Sequence, residues 1–284
     1  MSAETISSTP PRALPFRRRL FALIRVEGAL LARSLLSWII ALCVGGVMVL
    51  AVVSSVTAET SSKVFLPVLV LDSGHTVASR FWFQVVDLAS LMFPFLAFLF
   101  GYGVLIDDRE RGNLSCLGSL PVTRRDIYLS KVITRIAAFA SMICIGVAVG
   151  GIGLLLTGSQ FGVGSFLVAG TLTIGYGITL LSPAIALSAL VSTRNQGLIG
   201  VIGGGFALLF TPALLLSQKS WLIIVHPLQA YSRFLISLFD GMYSPVAFLP
   251  PQLLSLPLAA VVVLGWIILP TIVGFLQFRN EVFE

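Results

Sequence analysis

Apolar residues run along this chain in long uninterrupted blocks, and polar residues collect in the intervals between them. Crossing a hydrocarbon core of about 30 Å takes about twenty apolar residues at about 1.5 Å of helical rise each. Six blocks are long enough: Leu36–Val56, Phe83–Ile106, Ile136–Leu156, Phe166–Val191, Gly197–Leu215 and Leu258–Phe278. The pattern predicts an all-α membrane protein with six transmembrane helices. Residues 1–15, rich in Ser, Thr and Pro, read as a disordered tail, and residues 16–284 as one polytopic domain.

Ahead of the first block the pattern becomes amphipathic. In "PFRRRLFALIRVEGALLARS", at about 100° per residue, Arg18, Arg25 and Arg33 share one helical face with Ala22 and Ala29. Leu20, Leu23, Ile24, Leu30 and Leu31 share the other. Such a helix is suited to lie in the headgroup region as an anchor. Arg25, Glu27 and Arg33 interrupt any signal-like apolar core, and no small-residue cleavage site follows, so the segment is expected to stay uncleaved. Glu27 projects from the apolar face, where an unpaired carboxylate is costly, and should meet a cation or a hydrogen-bond donor.

Two loops on the opposite side, Thr57–Arg80 and Ser217–Pro257, complete the plan. The second contains "HPLQAYSRFLISLF", in which Pro227 can open a short helix carrying Leu228, Tyr231, Phe234, Leu235 and Leu238. It is too short to span and too apolar for a free loop, so a re-entrant or surface-lying helix is expected there. Glycines within the blocks, as in "GVAVG" from Gly146 and "GVIGGG" from Gly200, allow close backbone approach. Packing inside one bundle is weighed above a dedicated dimer seam. Pro94, Pro183 and Pro212 also fall within blocks and permit bending.

Composition agrees with the membrane reading: 57% hydrophobic residues, 11% charged, and a mean hydropathy of +1.00. The net charge of +6 could suggest an acidic partner, but its distribution is more informative. The arm, the loop Asp107–Arg135, the turn at Arg194 and the tail at Arg279 hold 14 of the 18 Lys and Arg residues. The opposite loops hold the other 4, namely Lys63, Arg80, Lys219 and Arg233. Lys and Arg gather on the cytoplasmic side, so both termini and the polar loop are expected to be cytoplasmic, in a multi-pass protein of the cytoplasmic (inner) membrane. No basic stripe interleaved with aromatics points to nucleic acid.

The sequence is poor in catalytic cues. It has no H-E-x-x-H, no G-x-S-G within a block, and only two histidines, His75 and His226, both in outer loops. Cys43 and Cys144 lie in blocks and Cys116 in the polar loop, without disulfide or metal-ligand spacing. Asp87, near the outer end of the second block, fits an interfacial position better than a proton or substrate role. No catalytic residue, cofactor or metal is expected. Lysine occurs only at 63, 131 and 219, and no G-x-x-x-x-G-K-[ST] is present, so any ATP site must belong to another subunit.

The loop itself stands apart, with ten charges between Asp107 and Arg135. Leu114 and Leu117, between Gly112 and Gly118, are spaced to share one face of a short helix that could dock into a cleft on another protein. Pro121 then breaks the chain, and Thr123 with Asp126 forms a T-x-x-D cap for the helix entering the third block.

"DDRERGNLSCLGSLPVTRRDIYLSK" resembles the first cytoplasmic loop of ABC transporter type-2 permeases, with matches at Glu110, Arg111, Gly112, Leu114, Pro121, Val122, Arg124 and Lys131. Asn113 and Ser115 depart from the family's Thr and Glu. "IRVEGALLARS" is similar to the family's R-K-E-L helix, and "HPLQAYSRFLI" to its N-P-x-x-x-Y-R stretch. Among subfamilies the chain looks most like stand-alone permeases related to the nitrous-oxide-reductase maturation subunit. The resemblance implies a transmembrane subunit in the bilayer, a homodimer in the simplest case, bound to two ATP-binding cassette subunits. It makes the loop a coupling helix, with Leu117 and Thr123 in the contact region, and makes the arm, with Arg25 and Glu27, a connecting helix packed beside it. On that arrangement Glu27 is expected to pair with Arg109 or Arg111. The chain would have no ATPase site of its own and would serve substrate export. Two other readings stand beside this one. A non-transporting membrane anchor of an ATPase-containing assembly shares its features, and a secondary transporter calls for inverted repeats and buried ionisable residues that the sequence lacks.

Overall fold

All six apolar blocks are helical. The computed structural model describes residues 15–57, 70–71, 76–110, 112, 122–239, 242–243 and 255–280. Its helices are α1 (Phe16–Arg33), α2 (Leu35–Thr57), α3 (Val77–Gly101), α4 (Gly103–Glu110), α5 (Arg124–Leu156), α6 (Val163–Leu190), α7 (Arg194–Ser217), α8 (Pro227–Ile236) and α9 (Leu256–Asn280). Helices α2, α5, α6, α7 and α9, together with α3 continuing into α4, are long and apolar enough to cross a membrane. Residues 1–14 of the expected tail lie outside the described residues, and Pro15, its last residue, is the N-cap of α1.

Helix α5 begins twelve residues before Ile136, where the apolar block starts. The additional turns carry Arg124, Arg125, Asp126, Lys131 and Arg135; polarity alone would make them loop, but the T-x-x-D cap at Thr123 marks this start, as expected. Helix α3 starts at Val77 behind a Thr76–Ser79 capping box, so Asp87 lies ten residues into the helix.

Helix α3 is the axis of the bundle, packed against α2, α6 and α7. Of its most apolar window 78% is buried, against 22% for α7 and 11% for α9, so these two helices present most of their apolar surface outward. Phe81, Trp82, Phe83, Phe93 and Phe100 of α3 are fully or almost fully buried. The Phe81 and Trp82 rings pack on Phe166 of α6 at 5.7 and 5.1 Å.

The glycine runs serve this chain's own packing. A Cβ at Gly204 would fall 2.3 Å from the Phe98 ring, and one at Gly146 would fall 2.9 Å from Val44. The G-x-x-x-G beginning at Gly200 therefore admits side chains of the same molecule, from Leu187 and Phe98.

Helix α8 opens with Pro227 at its first turn, as its sequence predicts. Leu228, Tyr231 and Leu235 are buried against the bundle. The Tyr231 ring stacks on Tyr176 with centroids 4.8 Å apart. Its hydroxyl shares a 2.7 Å hydrogen bond with Thr173, which satisfies a polar group that would otherwise be buried alone. Val70–Leu71 and Met242–Tyr243 form a two-residue antiparallel strand pair joining the two loops on this side, a contact the hydropathy pattern does not reveal. On α1, Leu30 is 61% exposed although its neighbour Leu31 is buried, because it lies at the edge of the apolar stripe.

Candidate functional site

The charged residues flanking residues 113–121 converge on the ends of the long helices. Helix α4 ends in Arg109 and Glu110, and Gly112 follows with φ 68°, its amide donating to the Arg109 carbonyl at 3.1 Å. That left-handed turn is open to glycine and strained for other residues, which accounts for the glycine of the Glu-Arg-Gly motif.

Arg109 and Glu110 are adjacent in sequence and opposite in charge, and they reach opposite helix ends. The Arg109 guanidinium donates to the carbonyls of Ser188 and Val191 at 2.9 and 2.7 Å, and to Ala189 at 3.3 Å. These carbonyls, at the C-terminal end of α6, have no partner within their own helix and carry the negative end of its dipole. Glu110 Oε1 accepts the Arg194 amide at 3.1 Å, at the positive N-terminal end of α7. Each contact contributes about 0.3–1 kcal/mol where exposed and up to about 2 where partly buried.

Glu27 finds a cation, as its position demands, and among the described residues it is Lys131 and not Arg109. Glu27 Oε1 accepts from Lys131 Nζ of α5 at 2.5 Å, and the same ammonium group also pairs with Asp108 of α4. Arg109 is engaged instead with the α6 carbonyls, which need its fork of donors, while Arg111 lies outside the described residues. Lys131 is 4% exposed, so the two carboxylates replace nearly all of its hydration. One turn further along α5, Arg135 donates to the Phe100 carbonyl at 2.8 Å and lies 4.9 Å over the Phe100 ring. That carbonyl sits where the second spanning helix is interrupted at Tyr102, between α3 and α4.

The start of α5 is held in the same way. The T-x-x-D cap is present: Thr123 Oγ1 accepts the Asp126 amide at 3.2 Å, and Asp126 Oδ2 accepts the Thr123 amide at 3.0 Å. Asp126 is fully buried, and its Oδ2 lies 3.1 Å from Arg19 Nε, an ion pair that ties α1 to the cap. Arg124 donates to the Arg279 carbonyl at 2.7 Å, at the end of α9. Arg25 points outward from α1.

Among the residues singled out from sequence, Glu110, Gly112, Thr123 and Arg124 thus meet around one end of the bundle, with Glu27 joined to them through Lys131 and Asp108. Leu114, Leu117, Pro121 and Arg111 fall outside the described residues. The roles of Arg19, Asp108, Arg109 and Arg135 escape sequence reasoning because each depends on a helix remote in the chain. Lys131 carries a signal, as a member of the matched loop pattern, but the pattern says nothing of its partners. Among the described residues the arrangement holds no nucleophile with a base beside it. What it can do is bind the flanks of one loop rigidly to α1, α5, α6, α7 and α9.

Comparison with known proteins agrees. The sequence model described as ABC-2 family transporter protein matches residues 68–281, most of the chain. The chain is similar to the probable ABC transporter permease protein NosY of Stutzerimonas stutzeri, at 29% identity over 222 residues, which cover 70% of this chain and 79% of that protein. With six helices able to cross a membrane and a match that runs from the loop before α3 to the last residues of α9, this multi-pass membrane protein belongs to the ABC-2 transporter family, as a permease.

Proposed function

We propose that the chain is the transmembrane subunit that couples ATP hydrolysis, carried out by a separate nucleotide-binding subunit, to export of a substrate across the cytoplasmic membrane. Two copies work together with two ATP-binding subunits. Both termini and residues 111–121 face the cytoplasm, and α1 lies at the membrane interface as the connecting helix. The permease named NosY is the kind of relative for which such a role is expected. One observation carries the reading. The residues on either side of 113–121 are bonded to the ends of three spanning helices: Arg109 to α6, Glu110 to α7 and Arg124 to α9. A force applied to that loop by a nucleotide-driven partner therefore reaches the bundle through hydrogen-bonded contacts and not through a slack connector.

The contact with the partner is assigned to Leu114 and Leu117, whose spacing gives a leucine pair on one short helical face. Replacing both with aspartate is expected to abolish co-purification of the ATPase subunit while membrane insertion stays intact. A complex recovered at wild-type yield would overturn the assignment.

A further inference from the structure

An apolar groove of about 460 Å³ runs between α1, α2 and α5, near the elbow where α1 turns into α2. The volume falls within the range of small-molecule sites, about 300–1,000 Å³. Its walls include Ile24 and Leu31 of α1, Ala41 of α2 and Met142 of α5, and exposed Trp38 stands at its side. Three hydroxyls line it. Those of Thr134 and Ser141 are bonded to carbonyls of their own helix, Ser130 and Ala138. The third, Ser37 Oγ, is buried and meets no hydrogen-bond partner among the described residues. A buried hydroxyl left unmatched is costly, so this one asks for a polar group that is brought in from outside.

The charge beside the groove says what kind of molecule brings it. Arg25 and Arg33 are exposed on α1, next to the groove residues Ile24 and Ala32. On a helical wheel Arg25 lies about 20° from Ala32. Glu27, the one acidic residue of α1, is turned to Lys131 and not to these cations. Trp38 donates its indole N–H to the Ala32 carbonyl at 3.0 Å, holding an amphipathic ring of the type found at the headgroup level. An apolar slot, a hydroxyl at its wall and, beside it on the polar face of α1, two exposed arginines match an acyl chain, an ester carbonyl and a phosphate in that order.

We propose that this groove binds one anionic phospholipid of the leaflet on which α1 lies. Its acyl chain follows the groove, its ester carbonyl accepts from Ser37, and its phosphate faces Arg25 and Arg33. The assignment rests on the reading of α1 as an interfacial helix. It gives the connecting arm a lipid-dependent seat against α2 and α5.

The test uses the whole chain in vesicles that contain acyl-brominated phosphatidylglycerol or acyl-brominated phosphatidylcholine at equal mole fraction. Subtracting the emission of Trp38→Phe isolates the Trp38 signal from that of the other tryptophans. The expected result is a Trp38 quenching preference of at least about twofold for phosphatidylglycerol. Arg25→Gln with Arg33→Gln should bring the preference to unity, and Ser37→Ala should lower it. Equal quenching of the wild type by both lipids would mean contact with bulk lipid only and would overturn the site while leaving α1 interfacial. Absence of Trp38 quenching by either lipid would overturn both. Neither result bears on ATP coupling, which the leucine-to-aspartate variants address.

Discussion

The Lys131 ammonium group balances two carboxylates from two other helices, Glu27 of α1 and Asp108 of α4, in a setting nearly closed to water. The energetics of such a triad are asymmetric. Removing Glu27 leaves Lys131 still paired with Asp108, whereas removing Lys131 takes the shared cation from both carboxylates, a change that costs up to about 3–5 kcal/mol for a buried pair. Lys131→Gln is therefore expected to lower thermal stability in detergent well below Glu27→Gln. In a double-mutant cycle the two substitutions should couple by at least about 0.5 kcal/mol, while Glu27→Gln with Arg109→Gln should be additive within that margin. Additivity of the first pair would remove the ion pair from the account. The need for a cation at Glu27 is legible in the sequence, because a lone carboxylate sits on an apolar helical face. Its identity is not, since it depends on how α1 lies across α5. Arg109 is near in sequence, but the unpaired carbonyls at the end of α6 take its guanidinium.

Helices are defined by what ends them as much as by what fills them. The apolar blocks reveal all six spanning helices, and Pro227 and Thr123 mark two helix starts correctly. The hydropathy pattern alone hides the first turns of α5, because five charged residues there look like loop; the T-x-x-D cap at Thr123 marks the start, but not the partners of those residues on α1, α3, α4 and α9. His226 is another end that its sequence understates. Its Nδ1 accepts the Leu228 amide at 3.2 Å and so caps α8, a role open only to the unprotonated ring. Burial pushes the imidazole down from 6.5 to about 4. Between those values the unfolded chain binds a proton that the folded one does not. The contribution is therefore complete above about pH 6.5 and is lost as pH falls toward 4. The melting temperature is expected to drop between pH 7 and pH 5. His226→Asn, which keeps a good capping side chain, should flatten that drop. An unchanged slope in the variant would assign the pH dependence to other groups.

The distribution of charge over the whole molecule, 14 Lys and Arg on one side and 4 on the other, predicts its orientation. In a cysteine-free background, single cysteines near Ser8 and Ser119 should resist an impermeant thiol reagent in intact cells, and one near Ser217 should react. Labelling at Ser119 from outside would invert the arrangement. Orientation is readable from sequence because it depends on counts, whereas the strand pair between the outer loops depends on the meeting of two segments far apart in the chain. The pairing of Arg109 with α6 and of Glu110 with α7 has a mechanical consequence at this scale. Adjacent residues leave a helix about 100° apart, so two neighbouring side chains pinned into separate sockets fix the azimuth of α4. Rotation about its own axis would pull one of them out, and translation is the freedom that remains. A displacement entering at residue 111 is thereby passed to the turn joining α6 and α7 as a shift in position, with its torsional component filtered out.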